Sequence, residues 1–109
     1  MQSNEEKAIR LLGFAARARR ITVGVPLICA ALQKGAAGKT PLLVLLASDA
    51  SANTAKRIAD RTAYYHVPLH ALTADGARLA LAVGKRDGTV AAVGITDPEL
   101  AGAIAAQFA

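Results

Sequence analysis

Leu42-Leu43-Val44-Leu45-Leu46-Ala47-Ser48-Asp49-Ala50-Ser51-Ala52-Asn53-Thr54 decides the fold. Its first half is apolar at every position and strand-sized, the pattern of a strand covered on both faces. It runs directly into a turn where Asp49, Ser51 and Asn53 each offer a side-chain acceptor of the kind that starts a helix. That helix, roughly residues 52–62, is expected to bury Ala55, Ile58 and Ala59 while showing Lys56, Arg57 and Arg61. Tyr64-Tyr65-His66-Val67-Pro68 then reads as a second extended piece, with its strand over residues 65–69. Strand, polar turn, helix, strand makes one α/β unit.

The flanks extend the alternation. Upstream, Ser3 and Glu6 have the spacing of a capping box. The helix they open carries the stripe Ile9, Leu12 and Ala16, with Ala8, Leu11 and Ala15 beside it. It gives out in Arg17-Ala18-Arg19-Arg20, cations that suit a helix C-terminus. Ile21-Thr22-Val23 reads as a short strand. Gly24 and Pro26 open a second helix with an apolar face of Leu27, Ile28, Ala31 and Leu32, and Gly35 stops it. Residues 36–40 form a loop into the central strand, residues 41–47. Downstream, Thr73-Ala74-Asp75 starts a fourth helix that ends near Val83-Gly84. Lys85-Arg86-Asp87-Gly88 is a turn, and residues 89–95 form a strand. Asp97-Pro98-Glu99 puts an acceptor at the cap, proline at the first helical position and an acid in the first turn, ahead of Leu100, Ala103 and Ile104. Such alternation predicts a three-layer α/β/α sandwich around a small mixed, mainly four-stranded sheet. At 109 residues, one domain over 1–109 is expected.

Hydrophobic residues make up 53% of the chain, enough for a core, but 26 of them are alanine, so elements pack closely and bury little area each. With no Trp and 4% aromatics, that core must be aliphatic. No apolar run approaches the length of about 18 residues that a membrane span needs, and the acidic N-terminus lacks a signal-peptide pattern. A lone cysteine, Cys29, allows no internal disulfide, which suits a reducing cytoplasm.

Net charge is +5 and the isoelectric point is near 9.9. Residues 1–62 carry ten Lys/Arg against four acids, or +6, whereas residues 63–109 carry three against four, or −1. A basic half implies a polyanion partner, and for a cytoplasmic domain that means RNA. The plainer reading is that the charge keeps an alanine-rich protein in solution.

Other motifs lose against simpler readings. Gly35-Ala36-Ala37-Gly38-Lys39-Thr40 looks like the end of a P-loop, yet Gln33 stands where the leading glycine belongs. The segment also leads from helix into strand, the reverse of a P-loop. His66 and His70 share an expected strand face but lack further ligands at metal-binding spacing. Cys29 among Ile28, Ala30 and Ala31 reads as a small core hydrophobe. Ser48 and Asp49 end a central strand, a common place for active sites in α/β folds, but no base or nucleophile partner accompanies them. No enzymatic activity, cofactor, metal or small-molecule substrate is expected.

In order and spacing, several pieces together resemble YlxQ-type bacterial members of the L-seven-Ae/L-thirty-e superfamily of ribosomal, kink-turn-RNA-binding proteins. They are Leu11-Leu12-Gly13-Phe14-Ala15 with its Arg-rich end, Gly24 with Gly35 eleven residues on, residues 47–54, residues 64–68, Leu81-Ala82-Val83-Gly84-Lys85 and Val93-Gly94-Ile95-Thr96-Asp97. The resemblance covers nearly the whole chain. It implies an RNA site at the start of the second helix, supported by the turn after the central strand, with Ser51, and by the loop before the last strand. The family pattern after the glycine is a hydroxyl residue, Asn, Glu and later Lys, which read guanine edges and approach the backbone. Those positions map here to Gly24, then Val25, Pro26, Leu27 and Ala30. None of the four replacements is polar. At roughly 1–3 kcal/mol per good base contact, such losses would remove most sequence reading.

What the resemblance leaves is attraction to backbone phosphate, through the amides of the second helix's first turn. Arg17, Arg19, Arg20, Lys34, Lys39, Lys85 and Arg86 are the cations expected to hold it. The expectation is a cytoplasmic protein that binds structured RNA, ribosomal or ribosome-associated. The competing reading is a protein-interaction module of the same fold with little RNA affinity, docking a ribosomal or other protein through an apolar tip, Val25-Pro26-Leu27.

Overall fold

The computed structural model describes residues 3–109. Along the chain it runs α1 (Asn4–Arg17), β1 (Ile21–Val23), α2 (Val25–Lys34), β2 (Leu43–Leu46), α3 (Ala52–Tyr64), β3 (Leu69–Ala71), α4 (Gly76–Ala82), β4 (Ala92–Ile95) and α5 (Pro98–Ala106). The four strands lie in the order β1-β4-β2-β3. β4 is antiparallel to both β1 and β2, and β3 is parallel to β2. Hence β1, β2 and β3 all run one way, and their finishing end, where β4 begins, is the upper end of the sheet.

The strand alternation sorts the core into two halves. Leu43, Leu45, Ala47, Val93 and Ile95 pack against the layer of α1, α4 and α5, which supplies Leu12, Leu79 and Ile104. Val44, Leu46 and Ala92 face the layer of α2 and α3, with Ile28, Leu32 and Ile58. All of β2 is buried, as its unbroken apolar run requires. Each fully buried Leu or Ile contributes about 1.5–3 kcal/mol. Glycine is needed within β4, because a Cβ on Gly94 would sit 2.9 Å from the Cβ of Pro41. No helix among the described residues is long and apolar enough to cross a membrane.

Four helices begin on a side-chain cap. Ser3 accepts from the Glu6 amide at 3.1 Å, Ser51 from Thr54 at 3.2 Å, Asp75 from Arg78 at 2.9 Å and Asp97 from Leu100 at 2.8 Å. The fourth helix therefore starts on Asp75, at the far end of Thr73-Ala74-Asp75.

Several expected details shift. The strand expected over residues 65–69 lies later, at Leu69–Ala71, because α3 continues through Tyr64. Its end closes with His66 in the left-handed region (φ 58) and the Val67 amide donating to the Thr62 carbonyl at 2.8 Å. His66 and His70 thus do not share a strand: His66 sits in that turn, while His70 is in β3 with its ring stacked on Phe108. In α3 the inward position after Ile58 is Thr62, not Ala59, which is exposed. Thr62 is accommodated because its hydroxyl donates to the Ile58 carbonyl at 2.9 Å. In α1, Ala8 and Ala15 are fully buried, and Leu11 and Ala16 only partly so. β2 and β4 are also shorter than the apolar runs containing them.

Candidate nucleic-acid interface

α2 starts where β1 ends, at the upper end of the sheet. Gly24 makes the corner with φ 95 and ψ 145, a conformation that side-chain-bearing residues rarely adopt. Its amide donates to the Ala92 carbonyl at 3.0 Å, and its carbonyl accepts from Ile28 at 3.0 Å, so the corner is tied to β4 and to the helix. Gly24 has no side chain to cap the helix, and the first turn contains no acid. Pro26 has no N–H. The amides of Val25 and Leu27 remain as first-turn donors that no helical carbonyl reaches. They sit at the positive end of the α2 dipole.

Around them the surface is apolar. Pro26, Leu27 and Ala30 are exposed, Leu27 by 62%. Val25 is buried at 6% and packs into the core half shared with Ile28 and Val44. Leu27 is exposed, as its place in an apolar tip requires, although the sequence also reads it with the apolar face of α2; Val25 does not belong to that tip, which corrects the expectation. A helix that begins on β1 must turn its first residue toward the sheet, leaving the next two outside.

The supporting turn after β2 is built as expected, but its side chains are occupied. Ser51 accepts from the Thr54 amide and donates to the Thr54 hydroxyl at 2.9 Å. Asp49, read from sequence as a helix-start acceptor, instead accepts from the Gly76 amide at 2.8 Å, fixing the start of α4. Asn53 is exposed in the first turn of α3. No local pattern announces a bond between residues 27 positions apart. Gly76 packs tightly as well: a Cβ there would lie 3.0 Å from the Cβ of Thr89 and 3.1 Å from the Val90 carbonyl, so those neighbours would have to give way by a few tenths of an ångström. The loop carrying Lys85 and Arg86, both exposed, leaves α4 with the Lys85 amide bonded to Ala80. It rejoins the upper end where Val90 donates to the Gly76 carbonyl.

Glu5 closes the same neighbourhood from α1. Its carboxylate accepts from the Thr73 amide at 2.7 Å, the Thr73 hydroxyl at 2.6 Å and the Ala74 amide at 3.0 Å. Burial pushes this carboxyl up, but the bonds from Thr73 and Ala74 outweigh burial and hold it below the ordinary range.

The cations of the N-terminal half gather elsewhere. Arg20 precedes β1, and its carbonyl accepts from Thr96, just beyond β4, at the lower end of the sheet. Arg19 is in the left-handed region at φ 59, closing α1 through its amide to Ala16. Lys34 ends α2, roughly 15 Å along the helix axis from its start. Arg19, Lys34 and Lys39 border one open groove of about 510 Å³ between α2 and β1. Gly35 and Gly38, read as a P-loop remnant, are left-handed loop residues leading from α2 toward β2. Arg17 lies over the ring of Phe14 at 4.8 Å and lines a different hollow beside Leu81 and Gly84. Leu27 and Ala30 share the groove between α2 and β1 with Arg19, Lys34 and Lys39, whereas Gly24 and Pro26 lie outside its lining.

Comparison with known proteins agrees with this architecture. Residues 6–104 match the ribosomal protein L7Ae/L30e/S12e/Gadd45 family. The chain is 34% identical over 84 residues to the RNA-binding protein YlxQ of Enterococcus faecium, covering 77% of each chain. It is 40% identical over 83 residues to the RNA-binding protein YlxQ of Bacillus subtilis (strain 168), covering 76% of this chain and 78% of that one. A Bacillus halodurans protein of unknown function superposes with a TM-score of 0.82 at 32% identity, over 93% of this chain and 95% of that one. The Giardia lamblia 15.5kD RNA binding protein superposes at 0.78 over 98% of this chain and 87% of that one. At 15% identity, this second likeness speaks for the fold alone. The chain thus belongs to the ribosomal protein L7Ae/L30e/S12e/Gadd45 family, as a non-enzymatic member of YlxQ type.

Proposed function

We propose that this protein binds structured RNA, ribosomal or ribosome-associated, in the cytoplasm, through the RNA backbone rather than through base edges, with residues 1–109 acting as one binding domain. The observation carrying this reading is the start of α2, which has no capping side chain and no acid. A phosphate there would accept from the Val25 and Leu27 amides and gain from the helix dipole. Lys85 and Arg86 would contribute from the neighbouring loop. Lys34, Lys39, Arg17, Arg19 and Arg20 act on flanking RNA, since Arg20 lies only about 13 Å from Gly24 by strand rise. Ser51 contributes by ordering the turn rather than by touching RNA, because its hydroxyl is committed to Thr54. The curated relatives are named RNA-binding proteins, which supports this ligand class.

Binding of this kind weakens with salt. Each phosphate contact adds roughly 0.7–0.9 to the log–log slope of affinity against salt. Arg19→Ala combined with Arg20→Ala should lower both affinity and slope in a fluorescence anisotropy titration. A flat salt dependence in the parent protein would contradict the proposal. The exposure of Leu27 favours a second reading, in which Pro26 and Leu27 dock a protein and RNA affinity is small. In that case RNA would not be retained even at low salt.

A further inference from the structure

The groove at the lower end has a feature that RNA binding at Gly24 leaves unused. β1 is a terminal strand of the sheet, and its register with β4 fixes which backbone groups are spent. Gly24 donates to Ala92 and Arg20 accepts from Thr96, so residues 20, 22 and 24 direct their backbone groups toward β4. By alternation, the N–H and C=O groups of Ile21 and Val23 face the other way, along the free edge. Neither residue takes part in a backbone hydrogen bond on that side among the described residues. That edge opens into the groove, whose opposite wall is Leu27 and Ala31 of α2. Arg19, Lys34 and Lys39 border it, and no acid lines it.

We infer that this groove takes an extended segment of a partner protein, added as a strand to the free edge of β1, apolar toward the Val23 and Leu27 end and acidic toward the Arg19, Lys34 and Lys39 end. Four unpaired backbone groups on two residues, about 6.6 Å apart, match the repeat of an incoming strand. The aliphatic wall accepts small apolar side chains, and the cations complement carboxylates beyond them. No aromatic ring lines the groove, so nucleobases have no stacking platform there. A second copy of this chain is a poor occupant, because its own edge segment Ile21-Thr22-Val23 carries no acid to meet Arg19, Lys34 and Lys39 and is preceded by Arg19 and Arg20. The free edge of β1 plays no part in the RNA reading, whereas Leu27, Ala30, Arg19, Lys34 and Lys39 are common to both, so protection of the Ile21 and Val23 amides is what distinguishes the two.

The test uses the full-length protein, isotopically labelled, and synthetic peptides of about eight residues, a typical span for strand addition. One half of each peptide alternates valine and threonine and the other half is glutamate and aspartate, in both chain directions. One direction should bind and should protect the Ile21 and Val23 amides from hydrogen exchange. N-methylation of alternate peptide amides should weaken it by at least tenfold, as should Lys34→Glu combined with Lys39→Glu, each an order-of-magnitude expectation for a lost ladder or reversed charge. A plain RNA duplex should weaken peptide binding by competing for Arg19, Lys34 and Lys39, but should not itself protect the Ile21 and Val23 amides. Four results would overturn the inference: no binding at millimolar peptide; binding that leaves the Ile21 and Val23 amides unprotected or survives N-methylation; equal protection of those amides by single-stranded RNA; or their protection in a dimer of the free protein.

Discussion

Two helices start at the upper end of the sheet, and they treat their exposed amides in opposite ways. Around the start of α4, three carboxylates from three parts of the chain fill the donors: Glu5 takes Thr73 and Ala74, Asp49 takes Gly76, and Asp75 takes Arg78. At the start of α2 there is no carboxylate at all, only Gly24 followed by Val25, Pro26 and Leu27. Both sites carry the same backbone chemistry. One is saturated by the protein's own anions and serves stability, while the other is open to an anion from outside. The absence of cap and acid at α2 is the more informative because four other helices of the chain have a cap.

The largest expected effect lies on the filled side. Asp49→Ala removes a partly buried, charge-assisted bond to Gly76 and should cost about 2 kcal/mol, read as a drop in melting temperature. RNA affinity measured well below that temperature should not change. If affinity falls with stability, the two starts are not separate in function.

The next effect concerns the open side. Leu27→Glu places at α2 the kind of acid that Glu99 supplies to α5. Because Leu27 is exposed, stability should move by less than about 0.5 kcal/mol. RNA affinity should fall roughly tenfold, since the carboxylate would repel phosphate from the Val25 and Leu27 amides.

The smallest effect sharpens the filled side by pH. The folded Glu5 carboxyl titrates below its unfolded value. Its contribution is therefore complete above the ordinary carboxylate range near pH 4–5 and is lost as pH falls through the folded value. Glu5→Gln should cost about 1 kcal/mol at neutral pH. That difference should shrink in acid, as denaturant unfolding at a series of pH values would show. A difference that stays constant with pH would mean that the bonds to Thr73 and Ala74 do not depend on charge.

Much of this contrast is legible from local sequence. Ser3, Ser51 and Asp97 cap the helices they were expected to open, and the apolar run through β2 is covered on both faces. Local signals fail where geometry comes from distant residues. Asp49 looks like a helix-start acceptor for α3, and only the packing of α4 shows that it serves Gly76. Tyr65 and Val67 look like a strand because they are aromatic and β-branched, yet α3 outruns them and His66 turns the chain. Ala59 and Thr62 differ by less than one turn, and polarity suggested the wrong one as inward. The cations could be counted but not placed. Lys34 stands a helix length from Gly24, as the sequence implies, but that Arg19 and Lys39 join it in one groove follows from the packing of α2 beside β1, which no single segment encodes.

If RNA binds at the open start of α2 as proposed, it is held by its backbone and its sequence is not read. A competition between a standard kink-turn RNA and an unrelated duplex of equal length, titrated over a range of salt concentrations, tests this most directly. With Pro26, Leu27 and Ala30 in place of polar readers, the two RNAs should compete within a few-fold of each other and lose affinity with similar salt slopes. A kink-turn that wins by a hundredfold or more, about 2.7 kcal/mol, would mean that the protein reads the RNA despite Pro26, Leu27 and Ala30.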